Sequence, residues 1–388
     1  MIPFPASPDV DPTSTELYTP LPRRPIALQG MYAEAEALYT RCQAIQEKTL
    51  GPEHPILATT LDKLAVVLYK QGKFGQARPL FERSLAIVEK DGGSDHLDMA
   101  ALLGKWAGLL KDQGQYAEAE PLYARCQAIE ENVLGPEHPS LAATLDKLVV
   151  VLYKQGKYGQ ARPLFERFLA IVEKDEGSDH PRVASLLGNW AGLLNTQGQY
   201  AEAEPLYARC QAIEENVLGL EHPSLAMTLS NRAGVLFSQG KSKEALPLLE
   251  RSLAIRENSL GPEHPDVATS LKNLAVLLHN QGYDAEAEPL YARCQTIQEK
   301  VLGPEHSSLA TTLNNRAYLL HKQGRTEEAG PLYERSLAIV EKDLGPDHPR
   351  VATSLKNLAD LLESQGKYEE AAPLLERSLA IAEKALGS

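Results

Sequence analysis

The sequence has no long apolar run: uninterrupted stretches such as Leu148 to Tyr153 are far too short to cross a bilayer. Membrane insertion is therefore not expected. Nor is there an excess of basic residues. The formal net charge of −13 argues against a nucleic-acid partner, because phosphate binding needs a basic footprint. Only four cysteines stand in 388 residues, too few for a secreted disulfide framework. Met1 is followed by Pro3, Pro5 and Pro8, with neither a basic start nor an apolar core, so no signal peptide is visible. Charged residues at 23% and hydrophobic ones at 43% describe a folded, soluble chain. Together these features predict an acidic cytoplasmic protein.

What the sequence does have is a repeat. A Gln-Gly pair falls at Gly30, Gly72, Gly114, Gly156, Gly198, Gly240, Gly282, Gly324 and Gly366, every step being 42 residues. Each unit reads as two helices. Leu61, Leu64, Ala65 and Leu68 follow the i, i+3, i+4, i+7 stripe of an amphipathic helix. Gln71-Gly72 ends it, and Ala77, Leu80, Phe81 and Ser84 repeat the spacing on a second helix. Gly51-Pro52-Glu53-His54-Pro55 breaks the chain between units, Pro55 suiting a first helical turn. Pro79, Pro121, Pro163, Pro205, Pro247, Pro289, Pro331 and Pro373 lie inside the second helices and predict a kink or a loose first turn.

One helix pair cannot bury its apolar face alone, so neighbours must stack into a solenoid. Residues 1–29, with seven prolines, read as a disordered leader. The solenoid follows over 30–388: a leading half-repeat at 30–51, its lone helix expected over Tyr32–Leu50, then eight 42-residue repeats. The last repeat stops without an extra helix, which would expose Leu375 and Leu379 and predicts end-to-end self-association or a truncated array. Cys42, Cys126, Cys210 and Cys294 recur every 84 residues, as do Trp106 and Trp190, the mark of a duplicated two-repeat block.

These residues resemble the tetratricopeptide (TPR) family of the 42-residue kinesin-light-chain type. The resemblance rests on Leu-Gly-Pro-Glu-His-Pro and Val-Ala-Thr-Ser-Leu-Lys-Asn-Leu-Ala at Leu260–Ala275, and on Gln-Gly-Lys-Tyr-Glu-Glu-Ala at the end of Val351–Ala371. It covers residues 31–388. It implies an all-α, right-handed superhelical solenoid of stacked antiparallel helix pairs, whose first helices line a concave peptide-binding groove. Neither the heptad coiled coil of a kinesin light chain nor a nucleotide-binding module of the NB-ARC type stands in these residues.

Candidate chemistry is sparse. His54, His96, His138, His180, His222, His264, His306 and His348 arrive once per repeat, too far apart to share a zinc, and read as loop-packing or helix-capping residues. The cysteines take a register that Ser84, Ser252, Ser336 and Ser378 fill elsewhere, and read as buried free thiols. In the third repeat Val149 and Phe168 put bulk at small-residue positions. Gly234 to Ser242 nearly spells a phosphate loop, but five residues separate its glycines where four are required. No catalytic residue, metal ligand or cofactor is expected.

The first helices' other face is more informative. It carries Thr59, Asp62, Lys63, Val66, Tyr69 and Lys70, with Tyr153, Phe237 and Tyr318 among the aromatics of later repeats. Such a surface suits a ligand groove, or else first helices sandwiched on all sides. One register runs Lys63, Lys105, Lys147, Asn189, Asn231, Asn273, Asn315, Asn357. An asparagine can pair with a peptide main chain, and in the resembling families asparagines of this phase do so. The lysines suggest a preference for acidic segments; the bland alternative is a solvated helix face. Arg232 and Arg316 replace a core leucine and are expected to reach a glutamate at the groove rim. The expected function is a non-enzymatic scaffold binding extended peptides or partner helices. The alternatives are a self-assembling array, or a detached sensor region of a larger NTPase-type signalling protein.

Overall fold

The computed structural model describes residues 26–92 and 97–386. All secondary structure there is helical. Two compact units are distinguished, one within residues 13–183 and the other within 184–388.

In the first unit α1 (Ile26–Leu50) precedes the pairs α2 (Pro55–Lys70) and α3 (Phe74–Gly92), α4 (Leu97–Asp112) and α5 (Tyr116–Leu134), α6 (Pro139–Lys154) and α7 (Tyr158–Glu176). The division falls within α8 (Pro181–Thr196). The second unit continues with α9 (Tyr200–Val217), α10 (Pro223–Ser238), α11 (Ser242–Leu260), α12 (Pro265–Asn280), α13 (Asp284–Leu302), α14 (Ser307–Lys322), α15 (Thr326–Leu344), α16 (Pro349–Ser364) and α17 (Tyr368–Leu386). Even-numbered helices are the first of each pair. Helix α1 begins at Ile26, inside the segment read as a leader; residues 1–25 of that segment lie outside the described residues.

Local chemistry sets these boundaries. The inter-repeat histidines cap first helices: Nδ1 of His54, His138, His180, His222, His264, His306 and His348 accepts the backbone N–H two residues on, at 3.1–3.3 Å. That satisfies one of the donors a helix start leaves unpaired. His96 lies outside the described residues. We expect His348→Ala to cost about 1 kcal/mol by chemical denaturation and His348→Asn, a good N-cap, to cost little; equal losses would dismiss the cap. At the other end Gly72 takes φ 82°, Lys73 N–H returns to the Leu68 carbonyl and Gly72 N–H to that of Tyr69, the Schellman closure. The same closure follows α6, α12 and α16.

The interior prolines do not loosen the first turn. Helices α3, α5, α7, α9, α11, α13, α15 and α17 run unbroken through them, and the first turn is intact, Ala77 N–H bonding the Lys73 carbonyl. Each proline is exposed, so the carbonyl it leaves unpaired one turn back opens to water.

The core stripe is buried as read, Leu61 and Ala65 at 0% exposure. Within a pair, one small residue ties the second helix to the first. Ser84, Ser252, Ser336 and Ser378 donate Oγ to the carbonyls of Ala58, Ala226, Ala310 and Ala352 at 2.7–2.9 Å, and the Cys126 thiol reaches Ala100 the same way. All four cysteines are free, and burial pushes the Cys126, Cys210 and Cys294 thiols up to about 11, which keeps them protonated and inert. Between repeats, arginines such as Arg335 clamp both a glutamate, Glu299, and the Pro304 carbonyl. In α17 Leu375 is half-buried and Leu379 exposed.

One buried carboxylate is uncomfortable. Glu214 on α9 is 7% exposed, and desolvation raises its pKa above 4.5 against the pull of the Thr228 and Ser224 hydroxyls. The folded form therefore holds its proton more tightly, and this group subtracts stability as pH rises through the ordinary glutamate range. Glu214→Gln, the residue found in the same register at Gln298, should raise the melting temperature near neutral pH. The gain should fade in acid. A gain that persists there would assign it to packing.

Candidate functional site

Successive first helices approach one another within each unit, α4 with α6, and α10, α12, α14 and α16 in turn. Second helices make no comparable approach among the described residues. The first helices therefore form the inner layer, and their non-core faces line whatever groove each unit has.

In the unit within 13–183 that face holds an open cavity of about 650 Å³. Lys63 from α2, Lys105 from α4 and Lys147 from α6 all line it, beside Asp62, Val66, Val67, Leu109, Lys111, Asp112, Tyr39 and Tyr123. The three lysines of the predicted register are thus brought together, and all three are exposed. Gly104 and Gly108, one turn apart on α4, are part of the cavity lining. Lys105 is not a bare charge: its Nζ lies 2.7 Å from Oδ2 of Asp62, which is 4% exposed. Tyr69 and Tyr153 are half-buried, Tyr153 packing within its own helix pair and Tyr69 reaching the next one as well. Tyr69 donates its hydroxyl to the Leu109 carbonyl and meets Phe74 edge-on at 5.0 Å, while Tyr153 packs on Tyr158 at 5.1 Å. Burial raises the Tyr69 and Tyr123 phenols, so both stay protonated.

The unit within 184–388 places the asparagines unequally. Asn189 is exposed and Asn231 half-buried; Asn273 and Asn315 are buried, at 4% and 7% exposure. Asn357 is half-buried and donates Nδ2 to Oδ1 of Asn314 at 2.8 Å. That bond spans 43 residues, the same step as Lys105 to Asp62, so this register also stitches neighbouring repeats. Around α12 the inner face is closed: Lys272, Asn273, Val276 and His279 are all buried. His279 Nδ1 lies 2.6 Å from Asp284 Oδ1, and its ring meets Tyr318 edge-on at 5.6 Å. Phe237 packs against the core around Leu236 and Val276. Arg232 and Arg316 reach glutamates as expected, Glu204 and Glu288, each at 2.7 Å, and also bond Gln211 and Gln295.

The cavity's glycines were not singled out in the sequence, although Gly104 and Gly108 at i, i+4 on the groove face were the signal. Among the described residues no group of three His, Cys, Asp or Glu could hold a metal, and no helix is long and apolar enough to cross a membrane. Gly234 to Ser238 ends α10, so the near phosphate loop is a helix terminus.

Helix pairs recurring every 42 residues, with an inner layer of first helices, define a helical-repeat solenoid protein. The tetratricopeptide repeat model matches residues 26–90, 98–174, 143–213, 182–258, 224–300, 278–329 and 308–384, and the chain belongs to that family. No curated protein matches it. Among solved structures it is similar to nearly identical TPR-like repeats of Podosopora anserina described as a kinesin light chain, with 32% identity, a TM-score of 0.49, and 54% of this chain and 99% of that one covered. The apo form of RapI shares the fold at TM-score 0.59 and 15% identity, covering 92% of this chain and 99% of that one. So does a signal transduction ATPase (STAND) with a tetratricopeptide repeat sensor from Pyrococcus horikoshii, at TM-score 0.57 and 12% identity, covering 89% of this chain and 52% of that one. Repeats of this family generally mediate protein–protein interaction.

Proposed function

We propose that the chain is a non-enzymatic scaffold that holds an extended peptide, or a helix of a partner protein, along its first-helix face. The carrying observation is the cavity on α2, α4 and α6, where Lys63, Lys105 and Lys147 converge over apolar walls. A ligand site of this kind pairs apolar lining with a few placed polar groups. In the other unit Asn189 and Asn231 are the asparagines open enough to meet a peptide main chain, each bond contributing about 0.5–1.5 kcal/mol. Asn273 and Asn315 would serve a ligand only if the face around α12 opened.

A peptide-display selection on the purified chain tests this reading. Enriched extended peptides that the Lys63→Asn, Lys147→Asn double variant fails to hold support it. Enrichment indifferent to those changes, or none at all, overturns the assignment to this face.

A further inference from the structure

We propose that the cavity lined by Gly104 and Gly108 receives a phosphorylated side chain of the bound peptide; this rests on the peptide-binding reading above. Charge comes first. Four lysines line the cavity against two carboxylates, and both carboxylates are already engaged: Asp62 by Lys105 at 2.7 Å, Asp112 by Lys111 at 3.5 Å. Lys63 and Lys147 have no ion-pair or hydrogen-bond partner among the described residues, and Lys147 acts only through space, on Asp146 and the Cys126 thiol. Two cations with no ion-pair partner among the described residues therefore line one open cavity in a protein whose net charge is −13.

A single carboxylate would answer one of them. A phosphoryl group brings about −1.5 to −2 charges and three acceptor oxygens on one tetrahedral centre, which suits two lysines converging from α2 and α6. Two carboxylates would need two side chains in the same space. Room is the second observation. At the α4 register of Gly108, the neighbouring repeats carry Val66 and Val150, and at that of Gly104 they carry Asp62 and Asp146. Both glycines line the cavity, and a Cβ on Gly108 would stand 3.4 Å from the Tyr123 hydroxyl, so a larger side chain there takes up room beside that wall. That hydroxyl is fully buried and has no hydrogen-bond partner among the described residues, and Tyr123 is part of the cavity wall. It is the donor that a deeply seated oxyanion would reach after a small shift. The glycine pair recurs at Gly188 and Gly192, but with Asn189 in place of the lysine, so room without charge is not the proposed site.

The test is an array of degenerate peptides with a fixed central phosphoserine, phosphothreonine, glutamate or serine, probed with the full chain and with Gly108→Val. Valine fills this register at Val66, Val150 and Val276, the last sharing a core cluster with Tyr291, so the variant keeps a side chain the fold accepts; Gly108→Ala is the milder companion. We expect the phosphorylated pools to retain the chain on the order of tenfold more strongly than the glutamate pool. The preference should vanish in Gly108→Val with its helical signal unchanged, and inorganic phosphate should compete only weakly. Equal retention by glutamate and phosphorylated pools would overturn the phosphate assignment and leave peptide binding standing. Phosphopeptide retention undiminished in both glycine variants would place the anion elsewhere and overturn it too. Full competition by inorganic phosphate would make the site a free-anion site, and retention of no pool would overturn the proposal and the groove reading together.

Discussion

Phe168→Ser is expected to destabilise the unit within residues 13–183 by about 3–5 kcal/mol, although serine is the resident of that register in four other repeats. The side chain of Phe168 is 2% exposed, meets Phe165 edge-on with centroids 6.4 Å apart, and lies in the repeat where Val149 is also buried. Removing it leaves a void where neighbouring side chains have packed around an aromatic ring, and close-packed interiors relax only partly. The reverse change makes the same point from the other side. Ser336 is 1% exposed and donates to the Ala310 carbonyl at 2.8 Å, so Ser336→Phe should cost about 1–3 kcal/mol or more by overpacking. Ser336→Cys should be close to neutral, since Cys126, Cys210 and Cys294 occupy this register. Denaturant unfolding of the three variants decides it. A loss below about 1 kcal/mol for Phe168→Ser would mean that the third repeat collapses freely around the gap.

The Lys63→Asn, Lys147→Asn double variant is expected to weaken an anionic peptide by roughly tenfold or more at low salt, with little change in stability. Both side chains are exposed and carry no hydrogen bond or ion pair among the described residues, so their loss removes no internal contact. Asparagine is the chain's own choice at this register in the later repeats. Exposed charge pairs contribute about 0.2–1 kcal/mol each, so two together reach the tenfold range, and screening shrinks the effect as ionic strength rises. Lys105 behaves differently. It compensates the buried Asp62, and Lys105→Asn should lower stability as well as binding. Fluorescence anisotropy over a salt series, with melting curves alongside, separates the two roles. Lysine variants that bind as the parent does would remove charge selection from this face.

The histidine caps, the Gln-Gly terminators and the serine/cysteine register could all be read before any coordinates, because each acts within a few residues of chain or within one helix pair. The same holds for Arg232 and Arg316, which were expected to reach a glutamate and reach Glu204 and Glu288. The loose first turn expected at the prolines is not found. Their cost was assigned to the helix alone, whereas exposure lets water satisfy the carbonyl they orphan.

By itself the sequence determined the 42-residue period, the helix pairs, their caps and the burial of the stripe through Leu61 and Ala65. These follow from residue spacing and from backbone groups that must be satisfied locally. Only the tertiary structure decided which positions of the lysine and asparagine register are open. Lys63 and Lys147 face a cavity, while Asn273 and Asn315, in the same register, are buried. Lys105 and Asn357 are spent in part on the residue 43 positions before them. The physical reason is that exposure on an inner helix depends on the volume of side chains one repeat away. Gly108 lines the cavity at a register where Val66 and Val150 stand one repeat away, and no periodicity along a single helix carries that information.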